Sequence, residues 1–468
     1  MNRHSLPNVD TIAAIATPPG SGGVAIIRVS GPKSSEILEL IFKPGRENTN
    51  GRTMESHRLY HGHIINPASK GIADEVLCAA MWSPNSYTGE DVIEIHSHGG
   101  HLVPKRILEI LFGLGIRPAN PGEFSLRAFS NGKMDLAQAE AVSDIINART
   151  DEGLKQAELQ LEGALSQRIA AFKELTLDIL AEIEAQVDFP EDEIDPIAKE
   201  VIASGINNLI SGIHSLLDTY EEGRIIKHGV KTAILGKPNV GKSSLLNVLL
   251  MKERAIVSPL PGTTRDFIEE SIDVRGIPLV LIDTAGIRKT YDEIEHEGVR
   301  LAKKKAEEAE LLLVVLDGSE ALDSDDMEVL QGAIGKSAIF ILNKSDKGIK
   351  LTLEALPSIV HPDRIVHTSA KLGIGIEELK DSIRGLLTSG NANTDGSEII
   401  LTELRHKLAL EKAAHGLTSF LKLLENGDSP EFLAIELRAA LDSLGEITGE
   451  VTTEDILGRI FSKFCIGK

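Results

Sequence analysis

The chain has 468 residues, 42% of them hydrophobic and 25% charged but only 4% aromatic, a length that suggests roughly three domains with cores of their own. Its net charge of −21, from 49 basic and 70 acidic residues, excludes a protein that coats nucleic acid non-specifically, because the phosphate backbone selects dense Lys and Arg. Two cysteines, Cys78 and Cys465, exclude a disulfide framework and fit a reducing cytoplasm.

The opening M-N-R-H-S-L-P-N-V-D lacks the apolar core of a signal peptide. No apolar run approaches the ~20 residues of a membrane span, so a cytoplasmic protein without membrane contact is expected. Residues 10–120 mix short strand-like runs with Gly and Pro, as in V-A-I-I-R-V-S-G (24–31) and E-D-V-I-E-I-H (90–96). From Asp135 to about Asp188 apolar residues recur at three- and four-residue spacing, the mark of amphipathic helices. F-P-E-D-E-I-D-P (189–196) breaks that pattern, and a further helix is predicted to about Tyr220. Over 121–222 there are 7 basic against 21 acidic residues, so this segment alone supplies −14.

Residues 229–388 alternate strand-like and helix-like runs, the signature of a parallel α/β unit; Leu311–Leu316 reads as a buried strand within it. T-S-G-N-A-N-T-D-G-S (388–397) is a linker by composition, and helical periodicity returns from Glu398 to Lys468, with a helix start predicted at Asp428-Ser429-Pro430-Glu431. The economical arrangement is one helical domain interrupted by an insertion; two separate helical domains are the rival.

The α/β unit carries the most specific chemistry. G-K-P-N-V-G-K-S (236–243) follows a strand (231–235) and precedes a helix (244–251), the context a P-loop needs. Gly236 and Gly241 let the backbone wrap phosphate, with Asn239, Val240, Gly241, Lys242, Ser243 and Ser244 around the nucleotide. Lys242 is expected at the β- and γ-phosphates and the Ser243 hydroxyl on Mg²⁺. Asn343-Lys344-Ser345-Asp346 and Ser369-Ala370-Lys371 are similar to the guanine-recognition motifs of the Ras-like GTPases. The Asp346 carboxylate accepts from two guanine N–H groups that adenine does not offer as a pair. Thr264, in P-G-T-T-R-D, supplies a second Mg²⁺ ligand, and Asp283, Thr284, Ala285 and Gly286 form the γ-phosphate sensor. Directly after them Ile287 stands where Ras-like enzymes hold a water-orienting glutamine, so hydrolysis needs another source of both glutamine and arginine-finger chemistry.

Four further stretches, T-P-P-G-S-G-G-V-A-I-I-R-V-S-G (17–31), P-N-S-Y-T-G-E-D-V-I-E (84–94), G-E-F-S-L-R-A-F-S-N-G-K-M-D-L-A-Q-A-E-A-V (122–142) and the terminal F-C-I-G-K, closely resemble the MnmE (TrmE) family. The resemblance covers the whole chain. It implies a multidomain α/β plus α architecture: an α+β folate-binding, dimerising domain over 1–120, a discontinuous helical domain over 121–222 and 389–468, and a Ras-like P-loop GTPase inserted at 223–388. It implies a potassium-activated GTPase, with the ion held by Asn239 and by oxygens near Ser258, Leu260 and Thr263 in S-P-L-P-G-T-T, and with Glu295 as the water-orienting acid. On the residues alone, Asn239 could simply hold the loop's turn and Glu295 could be one more solvated acid; Arg265 and Arg288 are fingers only on bare chemistry.

The folate pocket implied by the resemblance consists of Arg28, Glu94, Lys133 and Lys468, for a 5-formyl- or 5,10-methylene-type tetrahydrofolate. Cys465 is either a reactive thiol near that folate or a thiol buried against helices. The implied reaction installs an aminomethyl or carboxymethylaminomethyl group on C5 of wobble uridine 34 in certain tRNAs, with the FAD-containing partner MnmG in a heterotetramer. The chain has no flavin fingerprint. G-S-G-G (20–23) precedes a strand-like run rather than a helix, so it is not a dinucleotide loop. His96, His98 and His101 lack cysteine or carboxylate at ligand spacing and read as support for a pocket or turn; Cys465-Ile466-Gly467-Lys468 is not a lipidation box. The alternatives are a regulatory RNA- or ribosome-binding GTPase switch, and an aminomethyltransferase with a degenerate GTPase.

Overall fold

The computed structural model describes residues 10–45, 54–188, 199–252, 270–282, 307–351, 356–357, 360–388 and 398–468. The chain forms two compact units: Met1–Ser143 with Leu161–Ala170 and Asp442–Lys468, and Asp144–Gln160 with Ala171–Leu441. The first thus takes in, besides 1–120, residues 121–143, 161–170 and 442–468; the second contains all of 223–388.

In the first unit seven strands form one sheet: β1 (Ile12–Ile15), β2 (Val24–Ser30), β3 (Phe42–Pro44), β4 (Leu59–Ile65), β5 (Ile72–Met81), β6 (Val92–His98) and β7 (Arg117–Pro118), in the order β3-β4-β5-β6-β2-β1-β7. Only the β1–β7 pair is parallel. The two-residue period of β2 sends Ala25, Ile27 and Val29 into the core and leaves Ile26 and Arg28 on the opposite face. On the core face Ile27 and Val29 meet Ile95 of β6 and residues of the helices Ser34–Ile41 and Leu102–Gly113, such as Ile37 and Ile107. A second cluster gathers Ile12, Ala14 and Phe124, the last from the helix Glu123–Ser130. The C-terminal helix Glu454–Phe461 joins this unit through Phe461 and Phe464, packed with Leu136 and Ala139.

In the second unit six strands form a sheet in the order β13-β12-β11-β8-β10-β9: β8 (Val230–Leu235), β9 (Glu270–Val274), β10 (Ile277–Leu281), β11 (Leu311–Asp317), β12 (Ser337–Asn343) and β13 (Ile365–His367). All pairs are parallel except β9–β10. The expected buried strand is β11, and every one of its residues is buried. Leu311, Leu313 and Val315 enter one core and Leu312, Val314 and Leu316 the other, which is why it reads as a continuous apolar run.

The helix expected to run to Tyr220 ends at Leu217, and a new one covers Tyr220–His228. Thr219 causes the break: its hydroxyl donates to the Leu216 carbonyl at 2.6 Å and accepts the Leu401 N–H at 3.0 Å. The break brings the chain before β8 alongside the chain returning at 398–403, where Gln156 donates to the Glu398 carbonyl and accepts from Ile400 N–H. The helix whose start is predicted within Asp428-Ser429-Pro430-Glu431 spans Pro430–Thr448.

Candidate active site

The nucleotide loop forms where β8 runs into the helix Lys242–Lys252. Gly236 sits at φ 149°, where a Cβ would strike the Val315 carbonyl, and Gly241 at φ 103°, where a Cβ would strike the Asn343 side-chain amide. Asn239 adopts φ 64° between them, and Val240 is buried. Lys242 Nζ donates to the carbonyls of Gly236 (2.7 Å) and Lys237 (2.8 Å), folded back across the loop. Ser243 and Ser244 are exposed in the first turn of the helix, the end whose dipole favours anions.

Asn343, at the end of β12, ties this loop to the base-recognition loops. Its Nδ2 donates to the Val240 carbonyl at 2.8 Å, and its Oδ1 accepts from Ala370 N–H (2.9 Å) and the Thr368 hydroxyl (3.2 Å). The motif names Asn343 as a guanine-loop residue; the structure assigns its side chain to holding three loops in register. Asp346 is exposed, and its Oδ1 accepts from the Ser369 hydroxyl at 2.6 Å. That hydrogen bond holds its carboxyl below the usual range, with help from Lys371. Lys344, at φ 64°, donates to Asp317 Oδ2 at 2.5 Å. Ser258, Leu260, Thr263, Thr264, Arg265, Asp283, Thr284, Ala285, Gly286, Ile287, Arg288 and Glu295 lie outside the described residues.

Two groups near this site were not singled out from the sequence. Thr368 is fully buried beneath the Ser369 turn. Lys237, inside the P-loop, pairs with Asp323 and Asp326 at the start of the helix Ser324–Gly332. The signal for the second was legible: an Asp followed three residues later by another Asp is a capping arrangement.

In the first unit the structure brings together Arg28, Glu94 and Lys468. Arg28 donates twice to Glu94 Oε1, from Nε at 2.9 Å and Nη2 at 2.8 Å, and from Nη1 to the Gly467 carbonyl at 3.3 Å. Its guanidinium lies over the rings of Tyr87 (5.2 Å) and Phe124 (5.7 Å). The tail is held by backbone contacts: Phe124 N–H donates to the Lys468 carbonyl, and Gly467 at φ 99° passes so close to the Ile15 carbonyl that no Cβ fits. Burial, then the charge of Arg28, lowers the Lys468 pKa, opposed by Glu94 and Cys465. Lys133 reaches the neighbouring loop instead, donating to the Pro84 carbonyl at 3.1 Å.

His96 Nε2 is 3.7 Å from Glu94 Oε2 and is buried without a hydrogen-bond partner, while His98 Nδ1 is 2.8 Å from Asp74. Cys465 is exposed, which removes the buried reading of that thiol; Cys78 is buried, which pushes its pKa up to about 12. Around this cluster runs a network that sequence reasoning missed. Arg127, almost fully buried, donates to Glu90, Glu123, the Asp10 carboxylate and the Asp10 carbonyl. Arg117 also grips Glu123 and Asp10, and Ser30 donates to Glu90. The network fixes the loop that bears Tyr87 and the helix that bears Phe124.

Residues 11–133 match the family described as GTP-binding protein TrmE N-terminus, and residues 136–465 match the MnmE helical domain. The tRNA modification GTPase MnmE of Geobacter metallireducens is 46% identical over 98% of this chain and 99% of its own. The chain belongs to the MnmE family. A second MnmE, from Alkaliphilus oremlandii, is 44% identical over 98% of this chain and 99% of its own. Among solved structures, the G domain of the T. maritima FeoB iron transporter is 28% identical over 34% of this chain and 99% of its own, with a TM-score of 0.25. With the P-loop and both guanine-recognition motifs, this MnmE-family chain is a GTP hydrolase. Among the described residues no helix is long and apolar enough to cross a membrane.

Proposed function

We propose that the chain is a potassium-activated GTPase that works in tRNA modification, building an aminomethyl or carboxymethylaminomethyl group at C5 of wobble uridine. GTP is the substrate; Ser243 and Thr264 hold Mg²⁺, and Asn239, Ser258, Leu260 and Thr263 hold K⁺. Bound potassium supplies positive charge at the β- and γ-phosphates, where an arginine finger would otherwise act. Asn239 fits this role because its left-handed backbone lies between the two glycines of the cradle. Glu295 orients water in place of the glutamine that Ile287 displaces, and the chain works as a homodimer that closes through its GTPase domains.

The observation that carries the rest is the meeting of the chain's two ends, the C-terminal Gly467-Lys468 against the Arg28–Glu94 pair. A GTPase switch has no use for this arrangement. The group it suits is a reduced folate: a carboxylate at Glu94 for the pterin N–H groups, cations at Arg28 and Lys468 for the glutamate tail, the half-buried Tyr87 ring beside them, and the unpartnered His96 Nε2 nearby; Lys133 would have to leave the Pro84 carbonyl to join them. Bound tetrahydrofolate supplies the one-carbon unit. This chain's residues bind and orient it, with Arg28 held over the aromatic rings by Glu94. Redox chemistry is delegated to the FAD-containing MnmG in the cytoplasm, and that partner shares the tRNA grip with this acidic chain.

The test is binding of 5-formyltetrahydrofolate to the full chain, with GTP binding measured in parallel. Micromolar folate binding that Lys468→Ala weakens, with GTP binding unchanged, supports the reading. Intact GTP binding without folate binding would favour the RNA- or ribosome-binding switch. GTP turnover in matched potassium and sodium buffers, with Asn239→Ala and Glu295→Ala, decides the ion and the acid; equal slow turnover in both salts overturns them.

A further inference from the structure

The second lysine of the P-loop has a use that the phosphate-binding motif does not assign. Lys237 Nζ donates to Asp323 Oδ2 at 2.7 Å and to Asp326 Oδ2 at 2.9 Å. The Lys237 and Asp326 side chains are 13% and 4% exposed, so that contact is shielded from water, while Asp323 is half exposed and closes it from the solvent side. Both carboxylates are themselves fixed. Asp323 accepts from the N–H groups of Asp325 and Asp326, and Asp326 accepts from the N–H of Asp323, a reciprocal capping box on the helix Ser324–Gly332. At the same residue, the main-chain carbonyl of Lys237 accepts from Lys242 Nζ. The side chain is therefore fastened outward while the backbone faces the lysine that seeks the phosphates.

We propose that Lys237 is a positioning residue for GTP: its side chain pins the P-loop to the start of the helix Ser324–Gly332, and so holds the loop's backbone and Lys242 in the arc that receives the phosphates. Such a pin is needed because Gly236, Asn239 and Gly241 take φ values of 149°, 64° and 103°, and a glycine-rich loop without an anchor has many conformations to leave on binding. Lys237 itself does not touch the nucleotide.

The test is GTP turnover and fluorescent GDP titration on the full chain carrying Lys237→Met, Lys237→Arg, Asp323→Asn or Lys237→Met with Asp323→Asn. Asn caps a helix about as well as Asp, so Asp323→Asn removes the charge and keeps the cap. Lys237→Met should raise KM for GTP about three- to tenfold, more than it lowers kcat, and Asp323→Asn should give part of that rise. Lys237→Arg should restore most of the affinity, since a guanidinium reaches two carboxylates. The double variant should be no worse than Lys237→Met, because the two side chains act as one pair. Additive losses in the double variant, or a KM that does not move in either single variant, overturn the proposal. So does a fall in kcat and melting temperature with KM unchanged, the pattern of a lysine that only holds the fold. If Lys237→Met does not fold, Asp323→Asn decides alone: a raised KM supports the pin and an unchanged one overturns it.

Discussion

Gly241 shows how much of a nucleotide site can rest on the absence of one carbon. A Cβ there would meet the Asn343 amide that ties the P-loop to the guanine loops, in a backbone conformation that L side chains rarely adopt. Gly241→Ala should weaken GTP binding about tenfold or more, read by titration with a fluorescent nucleotide; unchanged affinity would mean that Asn343 reseats without cost. Asp346→Asn keeps the side-chain volume and removes the charge, and it should cost about 2 kcal/mol of GTP affinity, measured by titration with a fluorescent GTP analogue. Both glycines, Lys242 and Asp346 were legible in the sequence because phosphate and guanine dictate residue type at fixed spacing. The bracing role of Asn343 was not, since its partners Val240, Thr368 and Ala370 are chosen by the fold. Arg28 and Lys468 came only with the family resemblance; nothing in the spacing of residues at opposite ends of a chain announces that they meet.

Among elements, the loop over 84–90 and the helix Glu123–Ser130 depend on one buried guanidinium. Arg127→Met would leave the mostly buried Glu90 carboxylate with the Ser30 hydroxyl but no cation, while Glu123 keeps Arg117, and should cost about 3 kcal/mol. The lone tryptophan, Trp82, is hydrogen-bonded to the Met54 carbonyl in the same unit, so its fluorescence during urea unfolding reads the loss locally. The network also sets a pH dependence. Arg117 and Arg127 lower the Asp10 pKa; burial pushes Glu123 up, but hydrogen bonds from Arg117, Asn120 and Arg127 outweigh it and leave its pKa lowered. Depressed carboxylate pKa values add stability that is complete above the unfolded value of ~4 and is lost as pH falls through the folded ones. The Trp82 transition should therefore shift to lower urea below about pH 4, and Glu123→Gln should flatten that shift. Strands and helices here follow the sequence periodicity closely, as in β2, β6 and β11. The break at Thr219 did not announce itself, because a hydroxyl that accepts from residue 401 is a tertiary event.

Across the molecule, each sheet has one source of legibility. The second sheet is written in apolar runs that alternate with helical ones between nucleotide motifs, so its mainly parallel character follows from pattern, whereas the antiparallel β9–β10 pair and the strand order do not. The first mixes short antiparallel strands with bends, and its order brings β2 beside β6 across 61 intervening residues (31–91), a pairing that local text does not contain. Within the second unit, Lys227 is shared by Asp144 (2.6 Å) and Glu403, and its pKa stays raised because those two charges outweigh its burial. Lys227→Met should cost about 2–3 kcal/mol in thermal or urea unfolding of that unit, with like charges left facing each other. The same staple, with Thr219 against Leu401 and Gly223 packed on the Leu401 carbonyl, fastens the outgoing and returning chain together where the α/β segment is attached. A segment that enters and leaves through two adjacent stems should behave as a cassette. Replacing residues 229–398 with a short Gly/Ser bridge should leave the helices Lys199–Leu217 and Leu404–Asn426 packed together, as circular dichroism would register, and a foreign domain with neighbouring termini should be accepted at the same graft point.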